Sequence, residues 1–380
     1  MKRFVFFSPG YTDDWFYKDG AQLLLHMERF GFGPEILIFN NSSSYPLTER
    51  KIRITKVDYE KFIFGNLALF FFLRKNAKHI EVFMTSQLSF SSLFLSFVYK
   101  WFNPTGFTYL KMDNNHFARE CYDWELIWQN RIPFWKMKKI LMKRCFVKKI
   151  NLFSIEDAMS KRYFEEKYLF LKDKLILLYN GFTASKEQGS ETDVSDKKNY
   201  FLSVARFGIY EKASDVLLEA FANTKTEQDW KLILCGTIDA GFEKYIEDYF
   251  KKHPDLKERV IFTGHLDRKE LFEFYRQAKV FVLPSRSEGF PNAIAEALFF
   301  KNAIITTNKV AINDIINNRM GLVVKPDDTL GLQKAMMNLI SSPELNKKYG
   351  EEAHKFAMKE LDWSFNTEYL YKQIQERIKN

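Results

Sequence analysis

One segment constrains the fold more than any other. Lys279-Val280-Phe281-Val282-Leu283 is a short run of β-branched and aromatic residues with no polar alternation. A strand of that kind needs cover on both faces, which is the signature of a parallel sheet between layers of helices. It leads into Pro284-Ser285-Arg286-Ser287-Glu288-Gly289-Phe290-Pro291-Asn292-Ala293-Ile294-Ala295-Glu296-Ala297. Pro291 suits the first position of a helix, where its missing N–H costs nothing and its φ is pre-set. The prediction is strand, loop and helix, with Glu288 at the loop tip and Glu296 in the second helical turn. The amides of residues 289 to 292 would then surround a helix start. That arrangement binds an anion beside a carboxylate.

The same alternation recurs along the chain. Phe4–Phe7 predicts a first strand, followed by a helix over 21–30 and a strand over 35–39. Further strands are expected at 81–84, 108–112 and 150–155. From Tyr200 onward, strands at 200–205, 231–235, 260–262, 280–283 and 303–306 alternate with helices at 214–223, 241–252, 268–277, 292–299 and 329–340. Strand-helix repetition of this kind predicts an α/β chain with two doubly wound Rossmann-like domains. Asn180-Gly181 is a turn signal, and the polar stretch after it suggests a linker over 183–199. The expected division is 1–182, then 200–362, with a final helix over 363–380.

Composition narrows the classes. With 380 residues and 46% hydrophobic side chains, the chain can bury two cores of ordinary size. Its 39 phenylalanines and 18 tyrosines are largely core material. The apolar runs Phe62–Leu73 and Leu88–Phe102 are each shorter than the ~20 residues of a membrane span and are expected to be core helices. Phe4–Phe7 is too short for a signal peptide. Three widely spaced cysteines, Cys121, Cys145 and Cys235, fit neither a disulfide framework nor a metal site and suggest a reducing, cytoplasmic setting. A net charge of +9 calls for anionic partners. Only residues 131–149 combine clustered basic and aromatic groups, and they contain no nucleic-acid reading motif.

The 284–297 segment resembles the signature of the retaining glycosyltransferases of family 4, in which two glutamates are separated by seven residues (E-x7-E). Other stretches resemble the family in the expected order. Phe201-Leu202-Ser203-Val204-Ala205-Arg206 is similar to its strand ending in Gly-Arg, with Lys212 in the place of its lysine. Val260-Ile261-Phe262-Thr263-Gly264-His265-Leu266 is similar to its strand V-x-F-x-G-x-V, and Tyr179-Asn180-Gly181-Phe182 to its interdomain turn. The resemblance covers roughly residues 150–330 and fades towards the N-terminus. Ala205, Ala213 and Lys301 stand where the family usually has glycine, and Asn308–Ile312 replaces a glycine-containing loop. The resemblance implies the GT-B fold, two Rossmann-like domains facing across a cleft. It also implies transfer of a sugar from a UDP-sugar or GDP-sugar donor to a glycan or lipid-linked acceptor, with retention of configuration. Bacterial cell-surface polysaccharide synthesis is the implied setting. A small soluble acceptor and a non-catalytic sugar-nucleotide-binding homologue are the alternatives.

The chain contains no Asp-x-Asp and no close histidine pair, so no metal or cofactor is expected. The departing diphosphate would then fall to protein cations and helix N-termini. Arg206, at a strand end, can grip two phosphate oxygens, and Lys212 adds a point charge. By resemblance, Glu288 faces the donor sugar near the reacting carbon and Glu296 binds the ribose hydroxyls. Gly289, Phe290, Pro291 and Asn292 line the donor, and Gly20 and Leu266 join the donor-binding set. Asp113, at the end of the 108–112 strand, either faces the acceptor or caps the following turn, with His116 as the alternative. The stretch Arg131–Lys149 has seven lysines and arginines between 136 and 149. It is either a helix with a solvated basic face or a contact with an anionic membrane surface. The second would make the protein peripheral on the inner face of the plasma membrane.

Overall fold

A computed structural model describes residues 2–8, 19–39, 52–58, 65–112, 145–182, 193–224 and 229–379. The chain divides into two compact units. The first comprises Met1–Tyr179 and Trp363–Asn380, the second Asn180–Asp362.

The first unit is built on a seven-stranded sheet of order β3-β2-β1-β4-β5-β6-β7. Its strands are β1 (Lys2–Phe7), β2 (Phe32–Phe39), β3 (Arg53–Val57), β4 (Ile80–Ser86), β5 (Phe107–Met112), β6 (Leu152–Ile155) and β7 (Leu175–Leu177). Every neighbouring pair is parallel. The helices are α1 (Asp19–Met27), α2 (Gly65–Asn76), α3 (Phe90–Phe102) and α4 (Ala158–Lys167). Ser89 starts α3 by accepting the Ser92 amide at 3.2 Å, and Asp157 starts α4 by accepting that of Ser160 at 2.7 Å. β3 escaped the sequence reading because Arg53-Ile54-Thr55-Lys56-Val57 carries two cations and pairs on one side only. β2 begins three residues before the expected 35. Its Glu35 is almost fully buried, held by Nε and Nη2 of Arg3 at 2.9 Å each and by Thr55 Oγ1 at 2.6 Å. A buried carboxylate is tolerable only when paired and hydrogen-bonded in this way.

The second unit carries a six-stranded, all-parallel sheet of order β10-β9-β8-β11-β12-β13. These strands are β8 (Lys198–Val204), β9 (Lys231–Cys235), β10 (Val260–Gly264), β11 (Ala278–Leu283), β12 (Ala303–Thr307) and β13 (Gly321–Val324). Around them lie α5 (Ser214–Ala222), α6 (Glu243–Lys252), α7 (Arg268–Gln277), α8 (Asn292–Phe299), α9 (Asn313–Ile316), α10 (Thr329–Ser341) and α11 (Pro343–Phe356). α7 opens with a reciprocal capping box between Asp267 and Glu270. The core packs Trp230 against Phe201, the two rings tilted by 32° with centroids 4.5 Å apart. Lys197 is buried with its ammonium on the carbonyls of Ala278 (2.9 Å) and Phe300 (2.6 Å), the C-caps of α7 and α8, where a cation meets the negative ends of two helix dipoles. The last helix, α12 (Trp363–Lys379), belongs to the first unit and places Trp363, Leu370 and Ile374 in its core.

Both sheets reverse direction of growth once, between β1 and β4 and between β8 and β11. In doubly wound sheets ligands bind beyond the carboxyl ends of the strands at such a switch point.

Candidate active site

In the second unit, the switch point is flanked by the segments after β8 and β11. β8 runs through Ala205 into Arg206, whose side chain is exposed and makes no hydrogen bond or ion pair among the described residues. Gly236, after β9, accounts for the tightness of this corner. Its φ is +143°, and a Cβ there would lie 1.9 Å from the Ala205 carbonyl oxygen. The chain then forms a 3-10 turn, Tyr210–Lys212, ending on Ala213 at φ +51°. Lys301 sits at φ +59°. Both positions therefore use the left-handed backbone that glycine adopts more easily.

After β11, Pro284 to Pro291 forms the loop expected from sequence. The Lys212 ammonium forms an ion pair with Glu288 Oε2 across the switch point, and Ser285 Oγ lies 3.4 Å from the same oxygen. The Glu288 backbone is fixed as well. Its amide donates to Lys309 O at 3.1 Å, and the Gly289 carbonyl accepts from Ala311 N at 3.2 Å. The glycine-free loop 308–312 thus acts as a short strand-like brace for Glu288.

Arg286 ties the two segments together. Its guanidinium reaches Asp327 Oδ1 (2.6 Å), Asp215 Oδ2 (2.8 Å) and Tyr210 O (2.7 Å), and lies 4.5 Å over the Tyr210 ring. Its backbone amide donates to Glu211 O at 2.8 Å. Arg286 therefore positions the turn that carries Lys212. Sequence reading passed over it because its three partners lie 41 to 76 residues away.

Pro291 is the N-cap of α8 rather than its first residue. Its ψ of 126° is extended, and its carbonyl accepts the amides of Ile294 and Ala295 at 3.0 and 3.3 Å. Phe290 is buried, and Asn180 Nδ2 donates to its carbonyl at 3.3 Å. Two buried polar atoms beside Glu288, Ser287 Oγ and Asn292 Oδ1, have no hydrogen-bond partner among the described residues. Unpaired buried polar atoms are uncommon in folded proteins and call for an explanation.

Glu296 lies in the second turn of α8 and is 9% exposed. Arg268 Nη2, from the first residue of α7, pairs with its Oε1 at 3.2 Å. Burial raises the Glu296 carboxyl above its ordinary range, while Arg268 and the Tyr275 hydroxyl pull it back down. Arg268 also stacks over Phe272, 4.7 Å from the ring centre. The sequence signal for its placement was local: the capping box fixes the start of α7 one residue before Arg268. Its partner, 28 positions on, was not visible. Leu266 is half-buried between Gly264, at φ +72°, and this cap.

The structure therefore gathers Lys212, Ser285 and Glu288 directly, with Arg206, Gly289, Phe290, Pro291 and Asn292 on the adjoining segments at the same sheet edge. Glu296, on α8 rather than in the loop, has a separate partner in Arg268. Gly20 belongs to the other unit. It lies in α1, where a Cβ would meet the Phe6 ring at 2.3 Å, so close packing accounts for that glycine. Asp113 and His116 lie outside the described residues. Lys111, the penultimate residue of the strand leading to Asp113, is buried and ion-paired with buried Glu156.

Known proteins share this fold and part of this sequence. Anabaena HepE in complex with UDP has a similar structure, with TM-score 0.74 at 12% identity over 99% of this chain and 100% of that one. The likeness establishes the two-domain α/β fold. An uncharacterized glycosyltransferase of Methanocaldococcus jannaschii is 29% identical over 195 residues, 51% of each chain. The O-antigen chain mannosyltransferase RfbU of Salmonella typhimurium is 22% identical over 233 residues, 60% of each chain. The chain thus aligns with between half and two thirds of the length of these curated relatives. Residues 185–356, which contain every second-unit residue of the site, match the model of the family described as glycosyl transferases group 1.

Proposed function

We propose that the protein is a metal-independent glycosyltransferase that moves a sugar from a nucleoside diphosphate sugar to a hydroxyl of a glycan or lipid-linked acceptor. One observation carries this reading: the Lys212–Glu288 pair spans the switch point of the second sheet, with unpartnered Arg206 beside it. A carboxylate and two cations at this edge match the charges of the reaction, an oxocarbenium-like carbon and a departing diphosphate. Glu288 stabilises the first. Arg206 and Lys212 take the second, so that Lys212 exchanges its carboxylate partner for phosphate when the donor arrives. Ser287 Oγ and Asn292 Oδ1 gain partners from the donor, the amide oxygen accepting from a sugar hydroxyl, and Glu296, paired with Arg268, accepts from the ribose hydroxyls. Retention of configuration follows from the E-x7-E resemblance. UDP-sugar is the first donor to test, since the similar HepE structure holds UDP, with GDP-sugar second. Asp113 is assigned to the acceptor side. The setting proposed is cytoplasmic, in cell-surface polysaccharide synthesis. Residues 131–149 would contact an anionic membrane surface, although of these only 145–149 are described.

The test is a thermal-shift panel with UDP, GDP, ADP, CMP and dTDP on wild type and Arg206→Ala. A nucleotide at ~100 times its dissociation constant stabilises by about 2.7 kcal/mol. One nucleotide should shift the wild type and fail to shift the variant, and transfer should persist in excess EDTA. No shift with any nucleotide would overturn the donor site, and activity restored only by added metal would overturn the metal-free mechanism.

A further inference from the structure

The first unit carries a surface that the transfer reaction does not use. α2 and α3 pack together on one face of the seven-stranded sheet, and their inward residues form its core. The sequence predicts core helices here, and their inner faces are buried as expected. Their outer faces are instead apolar and open: Leu67 and Phe71 are each 44% exposed and Trp101 is 71% exposed. Between the helices lies a recess of about 450 Å³ lined by Phe70, Phe97, Trp101 and Phe102, with Arg74 at its side. Contiguous aromatic surface of this kind marks an interaction site.

The charged residues on the two helices have one sign. Neither α2 nor α3 contains an aspartate or glutamate. Arg74 and Lys75 end α2, and Lys78 follows it. At the end of α3, the Lys100 ammonium is pushed down by burial and by the nearby cations Lys149 and Lys174. The tail of the basic 131–149 stretch is anchored to this same helix. Phe146 packs against Phe90, Phe94 and Phe97, with ring centroids 4.9 to 6.0 Å apart, and Lys148 and Lys149 beyond it are exposed.

We infer that the α2–α3 face docks on an anionic phospholipid surface, with Trp101 and Phe71 entering the headgroup region and the surrounding lysines and Arg74 facing lipid phosphates. Aromatic residues beside cations are the groups that bind such an interface. A second copy of the chain fits worse, because a two-fold interface would set these cations against their own images with no carboxylate on either helix.

The experiment is flotation of the full chain with phosphatidylcholine vesicles and with phosphatidylcholine–phosphatidylglycerol vesicles, without donor or acceptor, so that its outcome is independent of the transfer reading. Wild type should float with the anionic vesicles, less so as salt rises. Phe71→Ser/Trp101→Ser and, separately, Arg74→Glu/Lys149→Glu should each lower the partition at least about tenfold, as expected when two cationic or apolar anchors are lost. Both pairs are at the surface, and unchanged melting temperatures show that the fold is intact. Equal partition of wild type and both variants would overturn the inference, as would equal binding to neutral vesicles. Concentration-dependent dimerisation lost in the same variants, without vesicle binding, would assign the face to a second copy instead.

Discussion

The Arg268–Glu296 pair offers a test of how the second unit holds a buried carboxylate ready for a ligand. Arg268→Gln removes the cation that offsets the burial of Glu296, a carboxyl that is 9% exposed. A hydrogen bond to a buried charged group is worth about 1.5–3 kcal/mol. The Arg268 side chain is itself 35% exposed, so water recovers part of that loss, and about 1–2 kcal/mol is the reasonable expectation. For a unit of this size the melting temperature should fall by roughly 2–8 °C. The deficit should also depend on pH, with a sign that follows from burial. Burial lifts the folded-state carboxyl above its unfolded value and Arg268 opposes the lift, so the variant lifts it further. Ionising Glu296 in the fold then carries a cost that is absent below the unfolded value and grows as pH rises through the folded one. The difference between variant and wild type should be full at pH 8 and shrink towards pH 5. Adding Glu296→Gln removes the stranded charge, and the double variant should recover most of the loss. Calorimetry of the four proteins across pH reads both effects. A deficit that does not change with pH, or costs that simply add in the double variant, would refute the reasoning.

Three further outcomes are expected. Gly236→Ala should cost roughly 3 kcal/mol or more, because its Cβ meets a backbone carbonyl at 1.9 Å. Gly31→Ala, also at positive φ but with open space around it, should cost only about 1 kcal/mol by urea denaturation, and equal costs would sink the steric argument. Glu288→Ala should lower transfer by orders of magnitude without loss of secondary structure by circular dichroism, and a wild-type rate in the folded variant would remove Glu288 from the mechanism. Arg286→Ala should weaken nucleotide binding and raise the protease sensitivity of the 208–213 turn together, since it acts by positioning Lys212. A change in binding with unaltered proteolysis would mean that Arg286 contacts the ligand itself.

Much of the second unit is legible in its sequence. β11, its loop and α8 appear where an unalternating apolar run, a Gly-Phe-Pro break and a helical pattern place them, because both-face burial and backbone restriction are local properties. Ala213 and Lys301, which stand where the family that the sequence resembles was expected to have glycine, both have positive φ. The first unit is harder. β3 hides behind alternating charge at a sheet edge, and Glu35 looks like a strand boundary until Arg3 and Thr55 close around it. The exposed faces of α2 and α3 are not legible in the sequence, because composition records apolar residues without recording which way they face.

Residue order alone therefore determined the alternation of strands and helices, the loop that bears Glu288, and the strand end that bears Arg206. Tertiary structure decided which of these meet. Lys212 reaches Glu288 because β11 pairs with β8, making strands far apart in sequence neighbours in the sheet. Arg268 finds Glu296, and Arg286 its two aspartates, for the same reason. Ion pairs depend on distances of a few ångströms in space, and a chain folded by hydrophobic burial sets those distances only when its layers close.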